Sequence, residues 1–340
     1  MNSPPDLAPE QTARPRLGVV IVAFQSDDVI ADCLDSLAQS IGVDLTIAVV
    51  DNASTDGTCE IIRGIGDRLT GAVKFREIDI GAPPPSCIDG LTLLRSSING
   101  GYAYGVNRGL EWLLSDAQLD LFWILNPDCI VAPDAAANFA RHGADGRFSL
   151  MGGRTVYVEP AGKIQNDGGR VSLLTGVCSP VHLGLEASGT PLPNSSEIDF
   201  VTGANCVASR RFIEQAGPMR EDYFLYYEEV DWALRRGSLP LRIAPETVVR
   251  HHGGTTIGSG SVSRRASAFA NYLNFRNRTR FIRRYAPFSL PIVLAYAAAK
   301  AAQLIVQGAP SEAQAVVRGA FGLSPPKNVR RRLPPEFDAF

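Results

Sequence analysis

The chain has 340 residues, 45% of them hydrophobic and 20% charged, with a formal net charge of −2 at neutral pH. That describes a folded globular protein of one large domain, or one domain with appendages, and it excludes the overall basic field of a nucleic-acid-binding protein. Six cysteines without a C-x-x-C pair read as small buried apolar residues of a reducing compartment.

Residues 1–15 are polar and Pro-rich, without the apolar core of a signal peptide, so a disordered tail and a cytoplasmic location are expected. RLGVVIVAF (16–24) is a Val-rich run that predicts a strand buried on both faces. Ile30, Cys33, Leu34, Leu37 and Ile41 then recur at helical spacing. DLTIAVV (44–50) predicts a second buried strand, stopped by the turn and capping cluster DNASTDGT, after which CEIIRGI begins a helix. GAVKFREIDI (71–80) predicts a third strand, GAPPPSCIDG a loop or insertion, and LTLLRS (91–96) a further strand. GYAYGVNRGLEWLLS (101–115) opens with glycines and becomes a helix, and LFWIL (121–125) is the next buried strand. Strands alternating with helices predict an α/β fold with a mostly parallel sheet and ligands at the carboxyl ends of its strands.

After about residue 150 the rhythm becomes irregular, as expected for the second half of one domain spanning 16–263. A helical extension, 264–322, is basic from Arg264 to Arg284 and then apolar. Its stretch 288–308 approaches membrane length, but Lys300 lies inside it and Ala dominates. A helix lying on the bilayer or packed on the domain is expected rather than a spanning one. The basic run, with Phe and Tyr interleaved, fits an anionic membrane surface or a phosphorylated lipid carrier better than RNA. Residues 323–340 read as a solvated tail.

Four polar clusters fall at the expected strand ends. Asp51 and Asn52 follow IAVV and suit a ribose or base edge, while Ser54 or Asp56 caps the next helix. An EF-hand fails here, because Ala53 and Thr55 stand where oxygen ligands belong. In Asn99–Gly109, glycines before a helix let backbone N–H groups approach a phosphate. Their spacing is neither G-x-G-x-x-G nor a Walker loop, and close helix–strand packing explains Gly109 as well. Asn126-Pro127-Asp128 is a turn stiffened by proline, its carboxylate either capping a helix or aimed at a hard cation. Glu228, Glu229 and Asp231 crowd three carboxylates into one helical turn, which raises at least one pKa and suits a general base. His251 and His252 offer an imidazole to a metal or a phosphate, the other ring being structural.

Taken together, VVIVAF, VVDNASTDGT, NGGYAYGVNRG, ILNPD, the run FVTGANCVASRRFIEQAGPMREDYFLYYEEVDWALR and VVRHHGG resemble the family 2 glycosyltransferases of GT-A fold, in their bacterial rhamnosyltransferase-like branch. The resemblance covers roughly residues 16 to 290. It implies an inverting hexosyltransferase of cell-surface polysaccharide synthesis, taking a dTDP- or UDP-linked sugar, L-rhamnose in this branch, to a glycan or lipid-linked acceptor. Phe24, Asp51, Asn52, Asn99, Gly101, Tyr102 and Asn107 would meet the nucleotide and its phosphates. Thr202, Gly203 and Ala204 would lie by the sugar and acceptor. Asp128 and His251 would hold Mg²⁺ or Mn²⁺, with Asn126 where the first Asp of a D-x-D motif often stands. Glu229 matches the usual base, with Asp231 left open beside it. The segment 80–94 is longer than the family pattern. Two other readings compete. One is a non-catalytic membrane-associated protein that keeps the fold, told apart by donor turnover. The other is a nucleotidyltransferase, disfavoured because the first strand runs into QSDD and not a Gly-rich phosphate loop.

Overall fold

The computed structural model describes residues 14–68, 74–253, 265–335 and 337, so most of the expected N-terminal tail and the start of the 71–80 strand lie outside the described residues. In chain order the first half runs β1 (Arg16–Ala23), α1 (Ile30–Ala38), β2 (Asp44–Asp51), α2 (Thr58–Arg68), β3 (Phe75–Asp79), β4 (Gly90–Arg95), α3 (Tyr102–Leu114), β5 (Leu121–Leu125), β6 (Cys129–Val131) and α4 (Ala135–Gly143). It continues as β7 (Leu150–Tyr157), β8 (Ile164–Asn166), β9 (Gly169–Val171), β10 (Cys178–Pro180), β11 (Asn205–Ser209), α5 (Arg210–Ala216), α6 (Glu228–Leu234) and β12 (Arg242–His251). Four helices close the chain: α7 (Ala268–Tyr285), α8 (Leu290–Val306), α9 (Pro310–Ala320) and α10 (Lys327–Arg330).

Ten strands form one sheet in the order β3-β4-β2-β1-β5-β11-β7-β12-β6, with β8 on β7. The β3-to-β5 half is parallel, β11 is antiparallel to β5 and β7, and β12 runs parallel to β7. The double-sided burial expected of β1 follows from side-chain alternation. Leu17, Val19, Ile21 and Ala23 enter one core with α1, α2 and α4, while Val20 and Val22 enter the other beneath α3. Gly105 and Gly109 allow that approach: a methyl on either would sit 2.5 Å from Val22 or Val20. The unusually long 80–94 segment becomes a loop followed by β4, which pairs between β2 and β3.

Register sets the site. Ala23, Asp51 and Arg95 are aligned across β1, β2 and β4, so these strands end on one edge. At the far side β6 pairs antiparallel with β12, and His251 faces Cys129. The end of one strand therefore lies beside the start of the other, which brings His251 to Asp128 across more than a hundred residues of chain.

The helical extension departs from its sequence reading in one respect. Much of the described basic run is spent on partners within the protein, although Arg265 and Arg283 stay exposed. Arg276 and Arg278 are buried. Arg276 and Arg280 donate to the Asp222 carbonyl oxygen at 3.1 and 2.5 Å, Arg278 donates to the Tyr227 hydroxyl at 3.0 Å, and Arg284 pairs with Asp222 and Asp231. The α8 helix buries Val293, Ala297, Ala301 and Leu304 and leaves Ile292, Ile305 and Val306 exposed, with Phe288 exposed in the turn before it. Nor is 323–335 a solvated tail: Val329 and Leu333 pack into a cluster with Phe224, Phe269 and Tyr272.

Candidate functional site

A cleft of about 1040 Å³ opens at the carboxyl ends of β1, β2 and β5. Phe24, Asn52, Asn99, Gly101, Tyr102, Asn126, Asp128, Thr202, Gly203, Ala204, Glu229 and His251 all line it. Residues gathered from sequence positions 24 to 251 thus meet in one concavity.

At one wall the His251 Nε2 lies 3.0 Å from Asp128 Oδ1 and 3.4 Å from Asn126 Nδ2. Its Nδ1 meets Gln165 Oε1 at 2.5 Å, which orients the ring. The Gly253 N–H donates to Asp128 Oδ2 at 3.2 Å. Burial works against the Asp128 carboxylate, but the hydrogen bond and charge of His251, with the Gly253 N–H, hold it below its usual range. Asp128, Cys129 and His251 offer ligand atoms within 4.8 Å of one another. Cys129 does not suit a hard cation. Its thiol is buried, contacts the Ala204 carbonyl and is pushed well up by burial, so it stays protonated. An ionised carboxylate beside an oriented imidazole remains, and that O,N pair fits a divalent cation completed by water and substrate oxygens. His252 contributes only its backbone N–H, to the Asp128 carbonyl.

A second wall carries Glu228 and Glu229 at the start of α6. The turn before them is strained: Phe224, Tyr226 and Tyr227 have φ of 66°, 73° and 75°. Asn277 holds this turn from α7, donating through Nδ2 to the carbonyls of Tyr223, Leu225 and Tyr226 at 2.8, 2.7 and 3.0 Å. Burial raises the carboxyl pKa of Glu229, and burial with the Glu229 charge raises that of Glu228 further. Tyr102 closes this wall by donating from its hydroxyl to the Gly203 carbonyl at 2.5 Å.

The loop before α3 works differently from the sequence reading. The N–H groups of Gly100, Gly101 and Tyr102 are taken up within the protein. Gly100 N–H goes to Asn52 Oδ1, Gly101 N–H to Asn99 Oδ1 and Tyr102 N–H to the Phe224 carbonyl. Gly101, at φ 88°, is required because a side chain there would collide with Phe224. Phe24, 39% exposed, presents an apolar ring to the cleft.

Three expected residues do not line the cleft. Asp231 is fully buried, bound by Tyr223, Arg235 and Arg284, which makes it a structural hub and leaves Glu229 as the one of that pair on the cleft wall. Asn107 is buried and spends its amide on the Met219 backbone and Glu221. Asp51 is buried and accepts from the Ser54 N–H, with its Oδ2 lacking a hydrogen bond but ion-paired to Arg95 at 3.8 Å. Conversely, Tyr157, Gln165, Phe269, Arg331 and Arg332 line the cleft and were not expected there. Of these, Arg331 and Arg332 fall in the stretch 323–340, whose sequence predicts a solvated tail.

Residues 18–170 match glycosyl transferase family 2. The chain is 24% identical over 241 residues, 69% of its length and 74% of the relative's, to the low-salt glycan biosynthesis hexosyltransferase Agl10 of Haloferax volcanii. In fold it is similar to S. aureus TarS 1–349 in complex with UDP-GlcNAc (TM-score 0.53, 13% identity, 93% of this chain and 83% of that one). It is also similar to the mannosyltransferase PcManGT from Pyrobaculum calidifontis in complex with GDP-Man and Mn²⁺ (TM-score 0.50, 18% identity, 94% and 90%). The chain spans 64% of another TarS 1–349 structure and 39% of a longer TarS structure. The mostly parallel sheet gathers these residues at its carboxyl edge, and the match across that half of the sheet gives residues 18–170 a glycosyl transferase family 2 domain within a GT-A-like fold, which supports a glycosyltransferase.

Proposed function

We propose that the protein moves a hexosyl group, with inversion, from a nucleoside-diphosphate sugar to a hydroxyl of a glycan or lipid-linked acceptor. The observation that carries this reading is that the Asp128–His251 pair and the half-buried Glu229 open on one cleft. Phe24 offers a face for the nucleotide base, and the Asn52–Asn99 amides offer polar contacts beside it. Asp128 and His251 would hold Mg²⁺ or Mn²⁺, which when bound neutralises charge on a departing diphosphate. Glu229 takes the proton of the acceptor hydroxyl, and its desolvation makes it a stronger base than an exposed glutamate. Thr202, Gly203 and Ala204 wall the sugar side. No covalent nucleophile is needed for a single displacement. The UDP-GlcNAc, GDP-Man and Mn²⁺ bound by structural neighbours support the donor class.

Within that class a dTDP- or UDP-linked donor, with L-rhamnose as the sugar and cell-surface polysaccharide as the product, follows from the branch resemblance alone. For location we propose the cytoplasm, peripheral on the membrane's inner face. The exposed apolar side of α8 supports this, since only 22% of its most apolar window is buried. A panel of nucleotide sugars with Mn²⁺ or Mg²⁺, scored for nucleoside diphosphate release, tests the reaction. Release that E229Q abolishes is expected. No release from any donor would overturn the reading, and pyrophosphate release would replace it with nucleotidyl transfer.

A further inference from the structure

Glu228 has no role in the chemistry above, yet its position is costly. It lines the cleft while only 2% exposed, and its Oε2 is buried without a hydrogen-bond partner. A buried carboxyl oxygen left unpaired is unfavourable, and such groups in native structures have an explanation. The ionisable groups around it make matters worse for a carboxylate. Glu229 follows on the same helix, the Tyr102 phenol approaches from α3, and among the described residues no cation pairs with Glu228. Backbone groups at Tyr226 and Glu228 favour the ionised form, but burial and the Glu229 charge act against it.

We propose that Glu228 is a specificity-determining residue that recognises a sugar hydroxyl as a neutral carboxylic acid, donating its O–H and accepting in return. The inference rests on reading the cleft as a sugar-transfer site. A hydroxyl matches the orphaned group because it can accept one hydrogen bond and donate another. It also divides the two adjacent glutamates by task. Glu229 gives up its proton and works as the base, whereas Glu228 keeps its proton and reads shape. The hydroxyl belongs either to the donor hexose or to the acceptor.

The decisive variant is Glu228→Gln, because an amide keeps one donor and one acceptor in the same outline but cannot act as a base. With the best donor of the panel, E228Q is expected to stay within a few-fold of wild type in kcat/KM. E228A is expected to lose roughly 10- to 100-fold, the range of one or two lost hydrogen bonds. E229Q should be inactive. Calorimetry separates the sources. If E228A binds the nucleotide sugar more weakly but the free nucleoside diphosphate unchanged, the hydroxyl is the donor's. If both bind unchanged and the acceptor KM rises, it is the acceptor's. An infrared difference spectrum of wild type against E228Q should show a protonated-carboxyl band at neutral pH. E228Q as dead as E229Q, E228A with wild-type kcat/KM, or absence of that band would overturn the proposal. Failure of the underlying reading looks different: wild-type protein would neither bind nor turn over any nucleotide sugar.

Discussion

Asn277→Ala tests whether the basic helix α7 builds the active site. The Asn277 side chain is fully buried, and its two Nδ2 hydrogens serve three carbonyls of the 223–226 turn, so two full bonds or their shared equivalent are at stake. Removing the amide strands buried carbonyl oxygens at roughly 1–3 kcal/mol each. The segment 224–227 holds three non-glycine residues at positive φ, each costing on the order of 1–3 kcal/mol, and it persists only because its surroundings fix it. A net loss of roughly 3 kcal/mol is therefore expected, partly relieved by relaxation of the turn. That relaxation moves Glu228 and Glu229. Displacement of a catalytic group by about 1 Å costs on the order of 100-fold in rate. Urea denaturation with an activity assay on the folded fraction measures both effects. Asn277→Asp, which swaps the donor for an acceptor of the same shape, should be at least as damaging. An N277A protein with an unchanged denaturation midpoint and unchanged kcat would refute the reasoning.

Further expectations follow from the site. Titrating Mn²⁺ into the nucleotide-free protein should give weak binding, because one carboxylate and one imidazole leave most positions to water and substrate oxygens. Nucleoside diphosphate should strengthen that binding and D128A should abolish the coupling; tight metal binding to the empty protein would contradict the site. The acid limb of a kcat/KM–pH profile should lie above the ordinary glutamate value of about 4.3, since burial raises Glu229 and the base must be ionised. The stability sign is the reverse of a paired carboxylate. The folded state binds the proton more tightly, so stability falls as pH rises from the unfolded value toward the raised folded one, and E229Q should flatten that fall in a thermal-melt series. In vesicle flotation, binding should depend on the α8 face more than on lipid charge, because so much of the basic run is paired internally. Ile292→Glu with Val306→Glu should release the protein from neutral and anionic vesicles alike, and strict dependence on anionic lipid would argue against the assignment.

What could be read from sequence followed its periodicities. The stretches Val19–Ala23 of β1, Ile47–Val50 of β2 and Leu121–Leu125 of β5 are apolar throughout because both faces are covered, and the polar residues after them mark the edge where the cleft opens. Local spacing could not tell where backbone donors point. The glycines before α3 were read as a phosphate cradle. The N–H groups of Gly100 and Gly101 instead donate to Asn52 and Asn99, that of Tyr102 donates to the Phe224 carbonyl, and Gly101 is needed for a backbone approach from a segment more than a hundred residues away. Tyr157 and Gln165 carry no local signal either, since each reaches the cleft through tertiary packing and not through pattern.

The same limit explains the misreading of charge. A sequence shows the sign of a side chain but not its partner, and a run of arginines without acids looks like a surface for anions. Here the counter-charges lie some fifty residues upstream, at Asp222 and Asp231, and the guanidinium of Arg278 also stacks over Phe275 and Tyr296. Asp231 is then best understood from the same pairing. Of three crowded carboxylates it is the one held by several arginines, so it is compensated as an anion and closed to a proton from substrate. Glu228 and Glu229 lack that compensation and face the cleft. The arginine helix thus anchors one acid of the cluster and leaves the other two desolvated, which is the condition a general base and a neutral hydrogen-bond donor both need.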